Sequence, residues 1–385
     1  MSGPGGQRAL VASASKIEGD PRVLRQVEWL RDAGWSVDTL GRGGTPAEVN
    51  GRHHVLGERS FPVRVAANVL LPSAVRYRIL ESSSIAPSVY EHPYDLVVVN
   101  EIELAPWLIA ERGRVLVPGG RAHLDLHEYA PSQRIGLLHR LVFKRYRAWM
   151  TRAISSRVFT SRSTVANGIA RLYAQNFGIP VPAIVRSTPH FVDQPPSPVA
   201  RDRIRLVHHG AASLTRGLSL LIDAMADLDE RFTLEFMLVG SPESVNSLRS
   251  QAAPLGDRVT FRPPVDVHTV SKVLNDYDAE IIFFPPVTEN LRFVLPNKFF
   301  ESVQGRLAVV IGPSVEMVEL VERYGNGVVT NGWTAADLAS AIGTLDAEAV
   351  VRMKAGSDRA ARDLSAETEG ARFLEAIAAG TAPAS

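Results

Sequence analysis

The 385-residue chain contains no cysteine, which removes disulfides and thiolate metal sites together. No apolar run approaches the ~20 residues that a membrane-spanning helix needs. Lysine is scarce: Lys16, Lys144, Lys272, Lys298 and Lys354 are the whole complement, so arginine carries nearly all the positive charge. A net charge of +1 gives no general pull toward nucleic acid. Met1 to Gly6 is polar and glycine-rich and lacks the apolar core of a signal peptide, so the expected location is the cytoplasm. What is present is 45% hydrophobic and 22% charged residues, the balance of a globular protein, in a length that fits two domains.

The first segments read as a strand–helix–strand unit. Arg8 to Ser13 is a short apolar strand, and Asp20-Pro21-Arg22-Val23 opens a helix with a capping acid and a proline at its first position. Val23, Val27 and Leu30 share one face, Gly34 ends the helix, and Trp35 to Leu40 alternates like a strand. Such a unit predicts a parallel sheet. Further strands are expected at Asp95–Asn100, Ala122–Glu128, Arg157–Thr160 and Ala183–Val185. Asp193 to Pro198 is too proline-rich for a helix or central strand and predicts a linker over 193–200. A second α/β series follows, with strands at Ile204–His208, Leu234–Val239, Val259–Phe261, Glu280–Phe284 and Leu307–Ile311. The expected domains are therefore 1–192 and 201–365, with a last helix from Ala366, within 366–385, crossing back toward the first.

The densest stretch chemically is Leu295-Pro296-Asn297-Lys298-Phe299-Phe300-Glu301, followed by Gly305 and the apolar Leu307–Ile311. Pro296 suits a helix start, the amides near Asn297 and Lys298 favour an anion, and Glu301 lies about one turn further on. A carboxylate there can grip a sugar hydroxyl pair. The same residues also fit an ordinary capped core helix.

Taken together, these pieces resemble the GT-B fold: two Rossmann-like α/β domains facing each other across a cleft. The particular resemblance is to retaining glycosyltransferases of the family-four (glycosyl transferases group 1) type, and it covers nearly the whole chain. Its carriers are Gly210 with Arg216-Gly217, Val239-Gly240, Val259-Thr260-Phe261-Arg262 and Leu295–Glu301 with Gly305. In the first half, Asp20–Val23 and Asp125-Leu126-His127-Glu128 match motifs of the family's shorter bacterial members.

The resemblance implies a transfer of sugar from a nucleotide-diphosphate sugar to an acceptor hydroxyl with retention, in polysaccharide, glycolipid or glycoside biosynthesis. It implies no cofactor and no metal. Glu301 would hold the nucleotide ribose, the Pro296–Asn297–Lys298 helix start and Gly210 the diphosphate, and Arg216 would neutralise the leaving phosphate. His127 would sit beside the donor sugar, and Phe261 and Arg262 would line the base pocket. Three departures stand out. Phe293 occupies the place of the first of two glutamates, so Glu289 or Asn290 would have to substitute. Ala211 replaces the usual arginine after the loop glycine, and Ser13–Gly19 lacks a glycine pair. A catalytically silent GT-B partner, or a nucleotide-sugar epimerase or hydrolase, are the competing readings. A nicotinamide dehydrogenase is not supported, because no G-x-G-x-x-G follows the first strand.

Other features have two readings each. The stretch 134–162 is basic (Arg140, Lys144, Arg145, Arg147, Arg152, Arg157) with Phe143, Tyr146 and Trp149 interleaved. It could hold an anionic membrane surface carrying a lipid-linked acceptor, or be a solvated helix face with its aromatics turned inward. No stacking platform for RNA accompanies it, so nucleic acid is not an expected partner. His208 and His209 are adjacent on a strand and point to opposite faces, which suits packing or donor-site roles better than one metal ion. Glu101 and Glu103 are a carboxylate pair or loop acids, and Glu316 and Glu319 are helix-start acids.

Overall fold

The computed structural model describes residues 6–57, 61–132, 137–212, 217–266 and 268–380. The chain divides into two compact units, Met1–Arg186 with Gly370–Ser385, and Ser187–Glu369.

The first unit is built on strands β1 (Arg8–Lys16), β2 (Ser36–Arg42), β3 (His53–Val55), β4 (Tyr94–Asn100), β5 (Leu116–Leu126), β6 (Ser161–Thr164) and β7 (Ala183–Ile184). Their order is β3-β2-β1-β4-β5-β6-β7, and every pair is parallel. The second unit holds β8 (Ile204–Ala211), β9 (Phe232–Val239), β10 (Val259–Arg262), β11 (Ala279–Ile282), β12 (Ala308–Ile311) and β13 (Gly327–Val329). Their order, β10-β9-β8-β11-β12-β13, repeats the same winding, again all parallel. Both sheets are Rossmann-like. Each reverses its strand order once, between β1 and β4 and between β8 and β11, and ligands of such sheets bind outside the carboxyl ends at that reversal.

The residues explain the winding. Leu96–Val99 of β4 and all of β11 and β12 are buried, as strands covered on both faces must be; β4 and β12 read there as unbroken apolar runs, and β11 is interrupted by Glu280. The helix Pro21–Asp32 starts where expected: the Asp20 carboxylate accepts from the Val23 amide at 3.3 Å, and Val23, Val27 and Leu30 are buried.

Several expectations change. The strand expected at 157–160 lies instead at Ser161–Thr164. Ser-Arg-Ser-Thr is a polar run, yet Ser163 and Thr164 are fully buried. The His123 ring bonds both Ser161 Oγ and Ser163 Oγ at 2.8 Å, so a hydrogen-bonded ladder stands where apolar packing was sought. Residues 193–200 pack within the second unit: Gln194 Nε2 donates to Gln304 O at 2.8 Å, and Lys354 Nζ to Ser197 Oγ at 2.8 Å. Gly305 caps its helix at an ordinary φ of −73°, and the left-handed residue is Arg306, at φ 60°. Arg306 is held there by Asp358 at 2.7 Å and by the carbonyls of Gln304 and Val192. Glycine is needed at 305 for space, since a Cβ would stand 2.8 Å from Leu274 Cβ. The helix Ala366–Ala379 begins in the second unit, where the Ala366 amide donates to Pro189 O at 2.8 Å. From Gly370 it belongs to the first unit, with Phe373 5.4 Å from the Trp29 ring.

Candidate functional site

In the second unit, polar residues gather at the strand reversal. Strand β8 carries His208-His209-Gly210 just before its last residue, Ala211, and the two histidine side chains point to opposite faces of the sheet. On one face His208 Nδ1 lies 2.8 Å from Ile281 O. A carbonyl only accepts, so Nδ1 carries the proton and Nε2 is left as an acceptor. Lys298 Nζ donates to that Nε2 at 3.0 Å and also donates to His209 O. The Phe284 ring lies 5.2 Å from the same ammonium, and Lys298 is buried. Gly210, at φ 109°, passes over it; a Cβ there would stand 3.4 Å from Nζ.

On the other face His209 bridges two carboxylates. Its Nε2 bonds Glu301 Oε2 at 2.8 Å, and its Nδ1 lies 2.7 Å from Glu280 Oε1. Ser302 Oγ donates to Glu280 Oε2 at 2.8 Å and closes the inner end. Burial opposes charge on His209, but Glu280 and Glu301 outweigh it and raise its pKa to about 9. The ring is therefore an imidazolium at neutral pH. Helix Asn297–Gln304, capped by Pro296, carries Lys298, Glu301 and Ser302 into this cluster, and its first amides lie at Asn297 and Lys298.

The remaining expected residues are placed as follows. Phe261 stacks on Phe236 at 5.1 Å with the Arg249 guanidinium 4.8 Å from its centroid, and Phe236 in turn lies 6.0 Å from the His208 ring. An aromatic row thus runs from β10 to the Lys298 cluster. Arg262 points to the opposite face and donates to the Tyr277 hydroxyl at 3.1 Å, so it does not join Phe261. Glu289 and Asn290 open a one-turn helix, Glu289–Arg292, capped by Thr288, where Glu289 lies 3.8 Å from Arg292. The Arg292 guanidinium lies 5.3 Å from the Phe293 ring. Ala211 is exposed at the end of β8, and Gly217, at φ 74°, opens the helix Leu218–Ala226. Arg216 lies outside the described residues.

The first unit has its own polar cluster at the corresponding reversal. The two motifs Asp20–Val23 and Asp125–Glu128 are the ends of one ion pair: Arg22 Nε and Nη2 reach Asp125 Oδ2 and Oδ1 at 2.7 and 2.8 Å, with both residues buried. Gln26 and Ser163 also donate to Asp125. Burial alone would raise the Asp125 pKa, but Arg22 and His127 hold it well below the usual range. His127 Nε2 lies 2.9 Å from Asn100 Oδ1 and 3.2 Å from Asp125 Oδ2, so its buried edge is fixed and Nδ1 lies toward Glu101, at 3.6 Å. Burial lowers the His127 pKa, yet Asp125 and Glu101 raise it overall. Glu101 sits in the left-handed region at φ 62°, accepts the His127 amide at 2.8 Å, and is pushed by burial up to about 7. Burial also raises the Glu103 pKa.

The helix Leu137–Thr151 carries the basic stretch. Tyr146 is buried with the Arg76 guanidinium 3.5 Å from its ring, and Trp149 lies 5.5 Å from Tyr77, so these aromatics face protein. Lys144, Arg145, Arg152 and Arg157 are exposed. Arg134 and the side chains of Arg140 and Phe143 lie outside what is described. Glu316 is buried in the first turn of Val315–Tyr324. Among the described residues no helix is long and apolar enough to cross a membrane, and no group of three or more His, Asp or Glu is placed to hold a metal ion.

Glu280, Arg22, Gln26, Asn100 and Ser163 were not expected as site residues. Glu280 had a signal: a lone carboxylate inside the apolar run Ala279-Glu280-Ile281-Ile282 must find a buried partner.

Two Rossmann-like units wound in this way make the GT-B fold, and solved structures match it over nearly the whole chain. A sucrose-phosphate synthase from Thermosynechococcus elongatus superposes with TM-score 0.70 at 13% identity, covering 96% of this chain and 98% of that one. An α,α-trehalose 6-phosphate synthase from Burkholderia multivorans gives 0.68 at 12%, covering 100% of both. Anabaena Alr3699/HepE, solved in complex with UDP, gives 0.65 at 14%, covering 97% and 100%. Residues 203–347, within the second unit, match the family model Glycosyl transferases group 1. No curated protein matches the chain.

Proposed function

We propose that this chain is a glycosyltransferase that moves a sugar from a nucleotide-diphosphate donor to an acceptor hydroxyl with retention of configuration. The observation that carries the reading is the His209–Glu301–Lys298 cluster at the strand reversal, on a helix start, inside the segment that matches the family. The amides at Asn297 and Lys298 would receive the diphosphate, and the buried Lys298 ammonium beneath Gly210 would add positive potential. Glu301 would accept hydrogen bonds from the ribose hydroxyls. Phe261 is the proposed base end, with Glu289 or Asn290 beside the sugar.

Chemically, the glycosidic C–O bond to phosphate breaks while the acceptor oxygen bonds the same carbon from the same face. The electron pair of the broken bond stays on the phosphate oxygen, and that oxygen takes the acceptor proton. Arg216 would stabilise the charge that grows there. His127, held by Asn100 and Asp125, would present its Nδ1 edge to the donor sugar. No metal is required in this scheme, because amides and cations of the protein supply the positive field. A lipid-linked acceptor is compatible with the exposed Lys144, Arg145, Arg152 and Arg157, which could rest on an anionic membrane face. The pathway proposed is polysaccharide, glycolipid or glycoside biosynthesis.

Phe293, in place of an expected carboxylate, favours a second reading: a subunit that binds a nucleotide without turning it over. One experiment separates the two. Thermal-shift screening against nucleoside diphosphates and their sugar conjugates, with and without chelator, is followed by assay of free nucleoside diphosphate released with a panel of acceptors. Stabilisation by one nucleotide class, unaffected by chelator and accompanied by release, supports the transferase. Stabilisation without release under any acceptor supports the silent partner.

A further inference from the structure

We propose that the first unit docks on an anionic lipid bilayer through the helices Phe61–Leu70 and Ser73–Leu80. Val63, Leu70, Val75 and Ile79 enter the lipid, while Arg78, Lys144 and Arg145 meet its phosphates. This rests on the membrane contact proposed above for the basic helix Leu137–Thr151, and not on the transfer chemistry.

One observation is an inverted pair of helices. Ser73–Leu80 turns Arg76 inward, fully buried 3.5 Å from the Tyr146 ring, with Tyr77 and Leu80 also buried. Its outer side carries Val75 and Ile79, about one turn apart and 44% and 52% exposed, beside the exposed Arg78. On the preceding helix Val63 and Leu70, about two turns apart, are 47% and 77% exposed. The two helices pack on each other and on Leu137–Thr151, where Lys144 and Arg145 are exposed. A lone exposed valine is ordinary, but four large aliphatic side chains between positions 63 and 79 mark a contact surface.

The other observation is charge. The net charge of +1 conceals two opposed halves. The first unit has 25 Lys and Arg against 16 Asp and Glu, a net of +9, and the second has 17 against 25, a net of −8. Within the first unit the excess is concentrated. Segments 61–80 and 129–186 contain no Asp or Glu, and together they hold 13 Lys and Arg. Such a surface attracts a polyanion. Nucleic acid offers no hydrocarbon to four aliphatic side chains, whereas a bilayer sets phosphates directly above an apolar layer. The anionic second unit of another copy is the competing occupant.

The test is co-flotation of the full chain with vesicles of phosphatidylcholine alone, or mixed in equal parts with phosphatidylglycerol, at low and high salt. Wild type should bind the mixed vesicles about tenfold or more tightly than the neutral ones, and salt should weaken that binding. Leu70→Ser with Ile79→Ser should lower partitioning about tenfold or more at an unchanged melting temperature, because both side chains are exposed. Arg78→Ala with Lys144→Ala and Arg145→Ala should remove the preference for anionic vesicles. The chain has no cysteine, so Leu70→Cys takes a single environment-sensitive dye, whose emission should shift to the blue on mixed vesicles. That shift decides alone if the serine variant does not fold. Equal binding by wild type and the serine variant, or a dye that does not shift, would overturn the proposal. If the alanine variant then still loses binding, the membrane contact of the basic helix stands and only the apolar docking fails. If wild type binds neither vesicle, both fail. A concentration-dependent dimer that the serine variant abolishes, with the dye shifted in the absence of lipid, would overturn the proposal in favour of a second copy.

Discussion

Two buried ion clusters, one per unit, decide what single substitutions do. Asp125 accepts from Arg22, Gln26 and Ser163, and its removal leaves a buried guanidinium without its counter-charge. Asp125→Ala should therefore cost about 3–5 kcal/mol of stability, read by chemical denaturation. A loss below about 1 kcal/mol would mean that the pair is worth no more than a surface one. The Asp125 pKa is depressed in the fold, so its contribution is present above the ordinary carboxylate pKa and lost as pH falls through the folded value. His209 has the opposite sign. Its pKa is raised from 6.5 to about 9, so the stability it adds is complete below 6.5 and lost as pH rises through about 9. The melting temperature should decline over that alkaline window in wild type and decline less in His209→Gln. Equal slopes would show that another group titrates there.

At the scale of elements, legibility followed the kind of burial. Strands β4 and β12 were plain in the sequence because both faces are covered and the run is apolar throughout. Strand β6 was displaced because its serines, Ser163 buried among them, are satisfied by His123, a partner 38 to 40 residues away in sequence that no local pattern reveals. Strands β3 and β13, at three residues each, are too short to carry a period. The helix Asn297–Gln304 was legible from Pro296 and Gly305, yet the partners of Glu301 were not. His209 sits 92 residues upstream on β8, and the acid on the other side of its ring, Glu280, sits on β11, so the three meet only when the sheet is wound. The motifs Asp20–Val23 and Asp125–Glu128 were visible singly, while their joining needed β1, β4 and β5 side by side. The last helix offers a prediction of its own. Gly370 lies against Trp29, where a Cβ would stand 2.6 Å from the indole. Gly370→Val should destabilise the first unit by about 1–3 kcal/mol through overpacking, as measured by denaturation. A neutral result would mean that Trp29 yields without cost.

For the whole molecule, the winding repeats in both units and places a polar cluster at each strand reversal, one holding His127 and the other His209, Lys298 and Glu301. The transferase reading assigns them different work, and kinetics can separate it. Arg216→Ala should lower kcat by a factor of about a hundred or more, because its charge is needed where the leaving phosphate forms. Glu301→Ala should mainly raise the donor KM, because the ribose hydroxyls are bound alike before and during reaction. The most direct measurement is the release of nucleoside diphosphate by wild type, Arg216→Ala and Glu301→Ala, across donor concentrations with a competent acceptor. The predicted result is turnover in wild type, near-silence in Arg216→Ala, and a raised donor KM at similar kcat in Glu301→Ala. Wild-type kinetics in both variants would contradict the assignment of this site.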